Sequence, residues 1–192
     1  MAPVIHSYDP PERFVAGTVG QPGQRTFFLQ ARSGARMTSV ALEKQQVAVL
    51  ATRIDELLDE LVTSGAGEST VPAVAPRDLE DSDPLEQPIE EEFRAGTMTL
   101  SWDATDERIV LEVYPYNEDA VVSPDQPEEE VVEPEPEELL VVRLPAGPAR
   151  AFAKRAQAVV AAGRKPCPFC GGPLDPEGHL CPRANGFRRT QA

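Results

Sequence analysis

Cysteine, histidine and tryptophan are scarce in this 192-residue chain, with three, two and one copies respectively. So few cysteines point to a metal or redox motif in a reducing compartment rather than to the disulfide framework of a small secreted domain. Long apolar runs are also missing: no stretch approaches the ~20 residues that span a bilayer. The opening MAPVIHSYDP has neither a basic nor an apolar signal-peptide region, so a cytoplasmic address is expected. Enzymatic signatures are equally thin. GTVGQPGQ lacks the Lys-Ser/Thr with which a P-loop holds phosphate and magnesium. There is no G-x-S-x-G elbow, and two histidines are too few for a convincing Ser-His-Asp set. No catalytic residue is assigned.

Acid is what the chain has in excess. Its net charge is −14. Residues 164–192 carry Arg164, Lys165, Arg183, Arg188 and Arg189 against Asp175 and Glu177, a net +3, which leaves −17 on residues 1–163. Such a body repels phosphate backbones, so direct nucleic-acid binding is not expected, and solubility alone would account for the charge. Two segments concentrate acid and proline: STVPAVAPRDLEDSDPLEQPIEEE (69–92) and PYNEDAVVSPDQPEEEVVEPEPEE (115–138). Neither has helical or alternating apolar periodicity. Charge repulsion and proline both oppose packing, so both are expected to be mobile loops. Carboxylates in such loops are not desolvated into an acid–base pair.

Between them the sequence has the patterns of folded structure. ERFVAGT at Glu12 is echoed by EEFRAGT at Glu91, so that Phe14-x-Ala16-Gly17-Thr18 recurs as Phe93-x-Ala95-Gly96-Thr97. Each copy opens a strand-rich run. RTFFLQA (25–31) and RMTSVAL follow the first, with turns at Gln21-Pro22-Gly23 and Ser33-Gly34. GTMTLSW, RIVLEVY and LLVVRL (139–144) follow the second, with a turn at Asp103-Ala104-Thr105-Asp106. Helical spacing then appears over about 43–63 (Val47, Leu50, Ile54, Leu57, Leu58, Leu61) and 146–162 (Ala149, Phe152, Ala153, Ala156, Val159, Val160). Pro145 and Pro148 suit the first turn of the second helix and Gly163 its end. The expectation is an α+β body over 1–163, two strand-rich halves each closed by a helix, followed by a small tail over 164–192. A short echo such as this fits either internal duplication or chance strand similarity. Trp102, Tyr114 and Tyr116 are read as strand packing.

All three cysteines fall within CPFCGGPLDPEGHLC, residues 167–181. Cys167-x-x-Cys170 is the usual first half of a tetrahedral zinc site, and His179-Leu180-Cys181 supplies two donors in place of a second C-x-x-C. The expected ligands of a structural zinc ion are therefore Cys167, Cys170, His179 and Cys181. A thioredoxin-like pair is disfavoured, because GGPLDPEG does not continue as the helix that would activate the first thiol. Four protein ligands leave no position for a catalytic water; without His179 that objection falls. His6 is isolated in sequence and is read as a solvated terminal histidine.

RFVAGTVGQPGQRTFFLQA, VALEKQQVAVLATRIDELLDE, CPFCGGPLDPEGHLCPRANG and the acidic segments together resemble a domain-of-unknown-function family restricted to actinobacteria, one that includes ParJ, associated with the chromosome-partitioning ATPase ParA. The resemblance covers nearly the whole length. It implies that the zinc knuckle is a family motif, offers a ParA-like ATPase as one candidate partner, and brings no catalytic residues. The expected function is a non-enzymatic zinc-binding adaptor or regulatory protein that acts by protein–protein interaction, without membrane contact. The alternative is an enzyme or accessory subunit of small-molecule metabolism with a pocket between the two halves. A cleft lined by clustered buried polar groups would favour that alternative.

Overall fold

The computed structural model describes residues 3–65, 70–117, 137–163, 167–170, 174 and 181. Its elements run β1 (Val4–Tyr8), β2 (Arg13–Val19), β3 (Thr26–Ser33), β4 (Arg36–Leu42), α1 (Lys44–Thr63), a short 3-10 turn at Arg77–Leu79, β5 (Glu91–Asp103), β6 (Arg108–Pro115), β7 (Glu138–Pro145) and α2 (Ala146–Ala161). The architecture is α+β, as expected. The two halves share one seven-stranded mixed sheet in the order β1-β7-β6-β5-β4-β3-β2. β2–β4 and β5–β7 each form an antiparallel meander, and the two meanders meet where β4 and β5 run parallel. β1 of the first half pairs parallel to β7 at the far edge. Helix α1 is the crossover that a parallel junction requires. The two sequence echoes lie in β2 and β5, the first strand of each meander.

The turns form where their chemistry allows. Gly20 and Gly23 adopt φ of 100° between β2 and β3, and Gln24 N–H donates to the Gln21 carbonyl. Asp103 accepts from the amides of Thr105 and Asp106 to close the β5–β6 turn. Glu43 caps α1 in a reciprocal box with Gln46, and Gly163 follows the C-cap of α2.

The sheet is strongly rolled. Four strand spacings of about 4.8 Å would hold β1 roughly 19 Å from β4 in a flat sheet. Yet the Tyr8 hydroxyl lies 2.8 Å from Thr38 Oγ1, and the Arg36 guanidinium stacks on the Tyr8 ring. The register of β5 against β6 shifts between Ala95 and Met98. Gly96 sits in that shift, where a β-carbon would stand 2.8 Å from the Pro115 carbonyl oxygen. Both helices pack on each other and on one main core, in which Phe14 stacks on Phe152 at 4.5 Å.

The first acidic segment departs from expectation. Residues 70–90 are irregular, but they pack as a strap over the outer face of β2–β4. Leu85 is buried against Val15, Phe28 and Ala41, with Ile89 alongside. Arg13 and Arg155 converge on Asp81, at 2.6 Å each, and Arg155 also donates to the Ala16 carbonyl. Gln30, buried, pairs with the strap backbone as another strand would: its amide nitrogen donates to the Glu86 carbonyl and its oxygen accepts from the Glu86 amide. Glu80, Asp81 and Glu86 of the strap are therefore neutralised by cations, a condition that composition alone does not reveal. It also explains a difference between the halves. β3 is buried on both faces, whereas β6 alternates between buried and partly exposed residues. The second acidic segment lies outside the described residues over 118–136.

Candidate metal centre

Cys167 and Cys170 flank a turn at Pro168–Cys170, and Cys181 returns to them across fourteen residues. Their three sulfurs lie within 4.8 Å of one another. Cys167 and Cys181 are buried, Cys170 partly so, and none is in a disulfide. The Phe169 amide donates to Cys167 Sγ at 3.4 Å, the backbone-to-sulfur contact expected when a knuckle wraps its first cysteine. Burial opposes ionisation of Cys167, but hydrogen bonds from the Cys170 and Phe169 amides, and from the Cys170 and Cys181 thiols, outweigh it. The Cys167 thiol is held below its ordinary value. Thiolate is the form that binds metal.

The donor set fits a tetrahedral ion. Cys167 and Cys181 sulfurs stand 3.8 Å apart, far beyond the ~2.05 Å of a disulfide. Two zinc–sulfur bonds of ~2.3 Å at the tetrahedral angle place their sulfurs about 3.8 Å apart. Cys167, Cys170 and Cys181 would hold such an ion, which would tie the chain following α2 into a compact unit. His179, the fourth donor expected from the sequence, lies outside the described residues.

His6 is not the solvated histidine expected. Its side chain is only 18% exposed, and its Nε2 faces Glu138 at 3.9 Å. The signal missed was β1 itself: its partner β7 lies more than 130 residues away, so nothing local marked it as a strand. Trp102 packs against the main core as expected, while Tyr116 is exposed.

A cleft of about 310 Å³ does span the two halves, lined by Arg25, Glu43, Lys44, Arg94 and Gly163 among others. Arg94 is paired with Glu43, and Arg25 donates to the Ala162 carbonyl at the end of α2. Its described lining has no histidine, cysteine or serine. The Arg94–Glu43 and Arg25–Ala162 contacts tie the halves together across it.

The family described as "Protein of unknown function (DUF3090)" matches residues 6–181, and so takes in the sheet, both helices and all three cysteines. The chain belongs to the DUF3090 family. No curated protein and no solved structure matches it. Among the described residues of this DUF3090 chain, no helix is long and apolar enough to cross a membrane.

Proposed function

We propose that this DUF3090 protein is a non-enzymatic zinc-binding adaptor or regulator. Its α+β body over 1–163 carries a zinc-knuckle tail over 164–192, with Cys167, Cys170, His179 and Cys181 as ligands. The observation that carries the reading is the convergence of three cysteine sulfurs within 4.8 Å of one another, two of them 3.8 Å apart, in a chain with no other cysteine. Four protein ligands close the coordination shell, so the metal is structural. Phe169, 64% exposed beside the cluster, gives the knuckle an apolar contact for a partner. Reduced thiols of this kind belong in the cytoplasm.

The proposed partner is a ParA-like ATPase, on the resemblance described above and on charge. A surface that binds DNA is basic, and a body of −17 is steered towards it. Binding of the purified protein to an immobilised ParA-like ATPase, at low salt and with or without a chelator, tests both parts. The reading expects binding that weakens when zinc is removed. No binding at low salt removes the ATPase as partner, and binding indifferent to the chelator separates the knuckle from docking.

A further inference from the structure

A second convergence of donors lies far from the cysteines in sequence. His6 stands in β1, Glu138 opens β7, and Glu92 lies at the start of β5. The β1–β7 register sets Val4 opposite Glu138 and His6 opposite Leu140, so the two side chains are close neighbours on adjacent strands. β6 stops at Pro115, level with Ala95, so Glu92 lies beyond the end of the strand that otherwise separates β5 from β7. One ligating atom from each of the three residues lies within 4.8 Å of the others.

His6 Nε2 and Glu138 Oε2 are both sealed from solvent, and neither has a hydrogen-bond partner. They face each other at 3.9 Å. An ion pair alone accounts poorly for this gap, because a protonated imidazole donates to a carboxylate at about 2.7–2.9 Å. Two metal–ligand bonds of ~2.0–2.2 Å are long enough to bridge it. The ring is oriented from behind: His6 Nδ1 lies 3.4 Å from Thr38 Oγ1, which is itself bonded to the Tyr8 hydroxyl. Such a contact on the other ring nitrogen is what fixes a metal-binding histidine. Two carboxylates this close repel unless a cation stands between them. Among the described residues neither Glu92 nor Glu138 pairs with a lysine or arginine.

We propose that His6, Glu92 and Glu138 form a second metal site, which takes a divalent first-row transition ion. One imidazole and two carboxylates suit Mn2+, Fe2+ or Zn2+ better than an all-oxygen calcium site or a thiolate site. The ion ties the edge strand β1 to β5 and β7, and three protein ligands leave positions for water or an exogenous ligand.

Mn2+ is the probe, because it does not seek thiolates. Pulsed electron paramagnetic resonance of the full-length protein with one equivalent of Mn2+ is expected to show coupling to an imidazole nitrogen. The chain has only two histidines, so the assignment is direct: His6→Gln abolishes the coupling and His179→Gln retains it. Glu92 is exposed, and Glu92→Gln, which leaves the fold undisturbed, is expected to weaken Mn2+ binding at least ~10-fold. Absence of nitrogen coupling in the unmodified protein, its survival in His6→Gln, or unchanged affinity in Glu92→Gln overturns the proposal.

Discussion

Gly17 lies directly beneath Leu85: a β-carbon at Gly17 would stand 2.5 Å from Leu85 Cγ. The glycine of the first sequence echo is thus the seat on which the acidic strap rests. Its counterpart Gly96 is confined differently, by the Pro115 carbonyl oxygen and Tyr116 Cα. Gly17→Ala is expected to cost about 1–3 kcal/mol, the usual penalty for overpacking. Much of that cost should vanish in a Leu85→Ala background, where the clash is removed. Gly96→Ala meets backbone, which cannot step aside, and should cost more with no such rescue. Denaturant midpoints of the variants check the ordering.

Acid should loosen the same strap. The hydrogen bond from Arg13 holds the Asp81 carboxyl below its usual range, against a smaller opposing effect of burial. A carboxylate depressed in the folded state contributes stability that is fully present above its unfolded value of ~3.9 and is lost as pH falls through the lower folded value. Stability should therefore decline below about pH 4. Asp81→Asn should flatten part of that decline and cost about 1–3 kcal/mol at neutral pH, since Arg13 and Arg155 lose their shared acceptor. Urea melts from pH 2.5 to 7 give both quantities.

The two acidic segments should respond differently to surgery. Replacing residues 122–136 by a short Gly/Ser linker is expected to shift the melting temperature little, because its composition offers little apolar surface to bury. Replacing 81–86 removes Leu85, Asp81 and Glu86 together, and with them the cover of β2–β4. A marked loss of stability is expected there. Thermal denaturation of the two variants distinguishes a linker from a packed strap.

Sequence pattern and structure agree where the folding information is local. The helical stripes at 43–63 and 146–162 become α1 and α2, and the glycine and aspartate turns fall between the expected strands. They disagree where a long-range partner decides. The strap reads as a loop until Arg13, Arg32, Lys154 and Arg155 are brought to its carboxylates. Val4–Tyr8 has no local strand signal, and its partner β7 lies more than 130 residues away. That long-range pairing, not the local sequence, is what shields His6 from solvent. The cysteines were the easier case, since their donors are crowded within fifteen residues.

Charge should govern the rate of partner binding rather than its lifetime. If the proposed ParA-like partner holds, neutralising Glu128, Glu129 and Glu130 is expected to slow association with it and to flatten the salt dependence, as screening acts over ~8–10 Å near physiological ionic strength. Substituting Arg183, Arg188 and Arg189 should leave the association rate unchanged if the body is the docking face. Stopped-flow or surface-based kinetics across a salt series would show the reverse pattern if the tail docks instead.

X-ray absorption at the zinc edge, on protein purified without added metal, tests the proposed knuckle most directly. In the His6→Gln variant, whose proposed second site is disabled, close to one zinc per chain is expected, with three sulfurs at ~2.3 Å and one nitrogen at ~2.0–2.1 Å. Cys170→Ser should lose most of that zinc, and chelation should leave the helical and strand circular dichroism of the body in place. Metal-free protein as purified, or a zinc shell of nitrogen and oxygen without sulfur, would contradict the assignment of Cys167, Cys170, His179 and Cys181.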